Sequence, residues 1–163
     1  MRPTIPGVRR SERRRPSGVP GAGAASGAAL APGAMKIFFD GGCRPNPGTM
    51  EAGVVAGGRF HHRPDLGHGT SEEAEWLALL EALAVARALR LGEILLLGDA
   101  AGVLAQADGR VRLRNPAFAP WLDRYRQEAA LFRLVRLRHI RRTQNLAGIA
   151  LEQVRARGRQ ASR

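Results

Sequence analysis

The spacing of apolar and polar positions changes several times along the chain, and each spacing predicts an element. Lys36–Asp40 reads as a strand: three apolar residues lead into a carboxylate, and the turn-rich run Gly41-Gly42-Cys43-Arg44-Pro45-Asn46-Pro47-Gly48 follows at once. Glu51–Gly57 is a second strand, and Gly58–Gly67, less apolar and carrying His61 and His62, a third. Thr70-Ser71-Glu72-Glu73 has the spacing of a capping box, with Thr70 at the N-cap and Glu73 three residues on. The Ala- and Leu-rich helix it opens is expected to reach about Leu91, with Gly92 as its stop.

Glu93–Asp99 is a continuous apolar run ending in a carboxylate, the pattern of a central strand buried on both faces. A short helix over Ala100–Ala107 comes next, then a loop over 108–116 around Asn115-Pro116, and a helix over Ala117–Ala130. Phe132–Arg138 alternates apolar and basic residues, a half-exposed strand, and Thr143–Arg157 closes the chain as a helix. The order predicts an α/β fold. An antiparallel three-strand meander and two helix-connected strands make a five-stranded mixed sheet with helices on both faces.

Residues 1–34 break this texture. They hold six arginines and one glutamate among Gly, Ala, Pro and Ser, without periodicity, and read as a disordered basic tail or as a mis-called start before Met35. The domain is then 35–157, with 158–163 as a disordered C-terminus. The chain carries a formal net charge of +12, and Lys36 is its only lysine. Arginine suits bidentate phosphate contacts, so a polyanion is the leading partner class; an Arg-preferring codon bias with no ligand is the other explanation. One cysteine, Cys43, excludes an intrachain disulfide and a cysteine-rich zinc site. No apolar run approaches the roughly 18–20 residues that span a bilayer, so no membrane partner is expected. A cytoplasmic monomer is the simplest reading.

Three carboxylates share a placement. Asp40 ends the first strand, Asp99 ends the buried one, and Glu75 lies in the first turns of the long helix. Asp40 is a turn former or a metal ligand, Asp99 a helix N-cap or a ligand, and Glu75 a solvated helix residue or a ligand. Neighbouring first and fourth strands would bring Asp40 and Asp99 side by side, with Glu75 pointing in. Such a cluster needs protons or cations, and an all-oxygen set suits Mg²⁺ or Mn²⁺ over Zn²⁺. With an Arg-rich domain, that points to two-metal phosphodiester chemistry.

Asp40-Gly41-Gly42-Cys43 with Asn46-Pro47-Gly48, Thr70-Ser71-Glu72-Glu73-Ala74-Glu75, Gly98-Asp99, and His139 with Asn145 together resemble ribonuclease H, type 1, over roughly 35–157. The resemblance implies a ribonuclease H-like fold and Mg²⁺- (or Mn²⁺-) dependent cleavage of the RNA strand of RNA–DNA hybrids. It implies that Asp40 bridges two ions and that Glu75 and Asp99 complete the second. Gly41, Gly42, Cys43, Arg44 and Asn46 would lie along the minor groove, where backbone groups sense 2′-hydroxyls. Ser71 and Asn145 would be further substrate contacts. His139 matches a mobile-loop histidine that helps the attacking water or product release; a surface histidine beside Arg138, Arg141 and Arg142 is the alternative.

The chain departs from that pattern at its end. Aligning Asn145 and Leu151 on the family's last motif puts Ile149 where a fourth metal-binding acid is expected. Glu72 replaces a usual amide, and Ala100 a common serine. Two functions therefore stay open: a nuclease of reduced or altered activity, and a catalytically weak or inactive module that binds nucleic acid through its arginines.

Overall fold

The computed structural model describes residues 29–161, so the predicted basic tail lies outside the described residues up to position 28. Positions 29–34 belong to that predicted tail yet are described, with a turn at Pro32-Gly33. The Ala31 N–H there donates to the Glu93 carboxylate at 2.7 Å.

Six strands and four α-helices follow: β1 (Met35–Cys43), β2 (Gly48–Ala56), β3 (Arg59–Arg63), β4 (His68–Gly69), α1 (Ser71–Ala88), β5 (Glu93–Gly98), α2 (Ala101–Ala107), α3 (Ala119–Ala129), β6 (Leu134–His139) and α4 (Leu146–Ala161). The main sheet runs β3-β2-β1-β5-β6, the five strands expected, and β4 adds two residues against β2. Strands β1, β2 and β3 form the antiparallel meander, while β5 and β6 pair parallel. Helix-connected strands at the parallel side and hairpins at the other explain the mixture.

The alternation along β1 assigns the faces. Ile37 and Phe39 are fully buried in the main core with Trp76, Leu79 and Leu83 of α1. A Cβ added at Gly41 would run into the backbone of Ala74 and Glu75, also on α1, whereas one at Gly42 would meet Arg155 of α4. Helices α1 and α4 thus cover opposite faces of the same strand.

Helix α1 begins as its sequence predicts. Thr70 Oγ1 accepts from the Glu73 N–H at 3.2 Å, and the Glu73 carboxylate accepts from the Thr70 N–H at 2.6 Å. Its end differs: the helix stops at Ala88, and Arg90, not a glycine, takes the left-handed conformation (φ 54°). Leu91 packs on the core and its N–H reaches the Ala86 carbonyl, so apolar burial turns the chain back before Gly92.

Other boundaries move for similar local reasons. Pro64 cannot donate to a ladder, and β3 ends just before it. Phe132 is buried in the core as a turn residue, and β6 begins only at Leu134. A single turn of 3-10 helix, Pro116–Phe118, precedes α3, with Asn115 Oδ1 accepting from the Ala117 N–H. Helix α4 starts at Leu146 rather than Thr143. It continues to Ala161, so positions 158–161 are helical rather than disordered; Arg, Gln and Ala there are good helix formers. No helix among the described residues is long and apolar enough to cross a membrane.

Candidate active site

The strand that carries Asp40 does not stop at it. Strand β1 continues through Gly41, Gly42 and Cys43, and Asp40 sits opposite Gly53 of β2, fully buried, rather than in a turn. Pairing with β5 ends earlier, at Phe38 opposite Leu97. Asp40 therefore lies inside the β1–β2 hairpin but beyond the end of β5, whose chain leads directly into Asp99. One ligand oxygen each from Asp40, Glu75 and Asp99 falls within 4.8 Å of the others, the only such group of three among the described residues.

Each acid is held. The Gly41 N–H donates to Glu75 Oε2 at 3.2 Å, a contact that the missing side chain at position 41 permits. Asn145 donates to Asp99 Oδ1 at 3.1 Å and to the Phe39 carbonyl at 2.9 Å. Asp40 Oδ2 is buried without any hydrogen-bond partner, and Gly148 of α4, lacking a side chain, leaves room beside it. Burial, then the Asp99 carboxylate, raises the Asp40 pKa to about 7, with Arg142 opposing. Burial, then Asp40 and Asp99, push Glu75 well above the carboxylate range, against the Gly41 N–H and Arg142. Three crowded acids with an orphaned oxygen suit a hard divalent cation, and the all-oxygen donor set suits Mg²⁺ or Mn²⁺.

Arg142 is the residue that the sequence reading missed at this place. It lies in the 3-10 turn Arg142–Gln144 between β6 and α4. Its Nη1 approaches Asp40 Oδ1 at 3.5 Å and Asp99 Oδ2 at 3.2 Å, and its Nη2 approaches Glu152 Oε1 at 3.2 Å. Burial alone would lower its pKa, but Asp40, Glu152 and Asp99 outweigh that and raise it. The available signal was its position three residues before Asn145.

The remaining candidates separate. Asn145, expected to touch substrate, is fully buried: its amide nitrogen serves Phe39 and Asp99 and its oxygen accepts from the Ala147 N–H at 3.2 Å, so it is a positioning residue. Cys43 is buried as well, its thiol within hydrogen-bond reach of both the Pro45 carbonyl at 3.1 Å and the Gly69 carbonyl at 3.2 Å, and Gly42 is closed off by Arg155. Arg44 and Asn46 are exposed; Asn46 Oδ1 accepts from the Ser71 N–H at 3.0 Å, tying the loop to the start of α1. His139 is exposed at the end of β6, in register with Gly98 and so one residue from Asp99. His62 is within 2.7 Å of Glu51, which also pairs with Arg155 on the α4 face. Ile149 is 40% exposed in the first turn of α4.

Two clefts flank these groups. One of about 340 Å³ opens beside Glu75, between Ser71 and Glu72 on one side and Ala100 and Arg114 on the other. A larger one, about 590 Å³, lies at Arg44, Arg155 and Arg159 and contains none of the three acids. The smaller is the one that reaches the acidic cluster, at Glu75.

Comparison with known proteins agrees with this geometry. The profile of the reverse transcriptase-like family matches residues 38–152. Among solved structures, the chain is similar to RNase H1 from the halophilic archaeon Halobacterium salinarum NRC-1, at 29% identity over 73% of this chain and 94% of that one, with a TM-score of 0.68. It is similar in fold to the N-terminal RNase H domain of a Mycobacterium tuberculosis protein, at 24% identity over 77% of this chain and 99% of that one, with a TM-score of 0.64. LC11-RNase H1, solved in complex with an RNA/DNA hybrid, matches at 24% identity over 69% of this chain and 88% of that one, with a TM-score of 0.63. No curated protein matches the chain. Residues 38–152 span β1 to α4 and include all three clustered acids, and on that match the chain belongs to the reverse transcriptase-like family, with the fold of type 1 ribonuclease H.

Proposed function

We propose that the protein is a divalent-metal-dependent endonuclease that hydrolyses the RNA strand of RNA–DNA hybrids, acting as a cytoplasmic monomer. The observation that carries this reading is the convergence of Asp40, Glu75 and Asp99 within 4.8 Å, with one Asp40 oxygen buried and unpartnered. These three residues would hold Mg²⁺ or Mn²⁺, which supplies an activated water and neutralises charge on the phosphate. The chain's own groups do the rest. Asn145 fixes the orientation of Asp99, Gly41 that of Glu75, and Arg142 brings positive charge to the mouth of the cluster. Arg114 lines the cleft beside Glu75 and suits a backbone phosphate there. Asn46 and Ser71, joined by a hydrogen bond, form an edge for the hybrid, with exposed Arg44 two residues before Asn46, and exposed His139 stands next to the Asp99 strand end as a group for product release or water.

A second reading, a binding module without turnover, is favoured by one observation: Ile149, at the aligned position of a fourth acid, has no ligating atom. Cleavage of a labelled RNA–DNA hybrid in Mg²⁺ or Mn²⁺ by the wild type and by Asp40→Asn separates the two. Metal-dependent cleavage by the wild type and its loss in Asp40→Asn is the expected result. Equal products from both proteins would remove the enzyme reading, and binding that persists with a steep salt dependence would leave the module.

A further inference from the structure

The acidic cluster already contains a cation of the chain's own. Arg142 Nη1 reaches both Asp40 Oδ1 and Asp99 Oδ2, and Glu152 holds the far edge of the same guanidinium. A planar, permanently charged group gripped on two edges is aimed at the acids rather than swept past them. Its side chain is 52% exposed, so it approaches from the solvent side, where a phosphate arrives.

The two oxygens of Asp40 have different surroundings. Oδ1 faces Arg142, whereas Oδ2 has no partner. Asp99 is engaged on both oxygens, by Asn145 and by Arg142. Charge counting agrees with this division. Four ionised carboxylates, Glu152 included, carry four negative charges, and Arg142 cancels one. One divalent cation leaves a single negative charge, shared with exposed Glu152, and a second would turn the balance positive around a carboxylate that is wholly removed from water. The first turn of α4 offers Gly148 and Ile149 here, neither of which can hold a further ion.

We infer that this site takes a single divalent cation, and that the Arg142 guanidinium serves as a tethered positive charge in place of a second. The inference rests on the reading of Asp40, Glu75 and Asp99 as metal ligands. In the reaction, Arg142 then takes over the charge stabilisation on the phosphate that a second ion would give, with two donors in a fixed fork.

The test is a Mn²⁺ titration of the full chain, counting bound ions by electron paramagnetic resonance of the free ion and by calorimetry. The wild type, Arg142→Lys and Arg142→Gln are compared, each checked for folding by circular dichroism. One Mn²⁺ per chain is expected for the wild type and for Arg142→Lys. Arg142→Gln, freed of the competing charge, is expected to bind its first ion about tenfold more tightly and, with the Glu152 carboxylate released from its ion pair, to take up a second. Two ions on the wild type, none at all, or an Arg142→Gln protein with unchanged count and affinity overturns the inference. The wild-type count decides even where a variant does not fold. Hybrid cleavage is assayed on the same samples. A wild type that binds one ion and leaves the hybrid intact removes the nuclease reading while the ion count stands.

Discussion

Asn145 donates to Asp99 Oδ1 at 3.1 Å and, with the same amide nitrogen, to the Phe39 carbonyl at 2.9 Å. One fully buried side chain thus joins the residue before Asp40 to the carboxylate of Asp99, across the gap where β1 and β5 cease to pair. Truncating it to alanine strands a buried carbonyl and frees Asp99. Asn145→Ala is expected to lose about 1–3 kcal/mol of stability in urea unfolding and to weaken Mn²⁺ binding. A variant as stable as the wild type would show that the bridge contributes little.

The raised Asp40 pKa fixes a pH dependence. Its folded value, about 7, lies above its ordinary 3.8, so the folded metal-free protein favours the protonated acid. The stability this contributes is complete below the ordinary value and is lost as pH rises through about 7. Metal binding needs the ionised form, so it has the opposite slope. Between pH 5 and 8, this contribution to the melting temperature of the metal-free protein is expected to fall while the upshift given by Mg²⁺ grows. The Asp40→Asn protein should lose the Asp40 share of both slopes and keep the share of Glu75, which burial also raises; unchanged slopes would assign the titration to Glu75 alone.

Two glycines approach the acids from opposite sides, and they are expected to fail differently. A Cβ at Gly41 meets the backbone of Ala74 and Glu75, which cannot rotate away, so Gly41→Ala should cost about 1–3 kcal/mol and push Glu75 outward. A Cβ at Gly148 stands 3.2 Å from Asp40 Oδ2, while alanine favours the helix. Gly148→Ala should therefore keep its melting temperature and lose metal affinity. Thermal melts with and without Mn²⁺ compare the two.

Position 149 tests the altered last motif. Ile149→Asp is expected to raise metal affinity and the rate of hybrid cleavage, since a carboxylate added one residue from Gly148 adds negative charge beside the cluster. A folded variant with unchanged rate and affinity would mean that position 149 does not face the ion.

The cap of α1 gives a prediction independent of function. Thr70→Ala removes the acceptor for the Glu73 N–H and should cost about 1 kcal/mol in chemical denaturation.

What was legible in the chain was local. The capping box at Thr70 and Glu73 uses residues three apart, and the runs at Ile37–Phe39 and Glu93–Gly98 declare strands through their own side chains, so neighbouring residues suffice to read them. The carboxylates of Asp40 and Asp99 were visible because each follows such a run directly. Glu75 was visible because it lies two residues after that box. The end of α1 was misread because a core contact of Leu91, not a glycine, turns the chain there.

The contacts that make these acids a site were not legible, because they join residues far apart in sequence. Arg142 looked like one more surface arginine near His139 until the fold brought it to Asp40, 102 residues away. Asn145 resembled a substrate contact and proved to be an internal strut, because the register of β5 with β6 and the start of α4 bury it beneath Asp99. Even Asp40 changed character: local pattern offered a turn, and pairing of Gly41–Cys43 with β2 made it the buried middle of a strand. Periodicity and caps are short-range signals that the chain carries in plain order. Burial, charge balance and the choice of which acid meets which cation depend on packing between α1, α4 and the ends of two parallel strands, and that exists only once the sheet has formed.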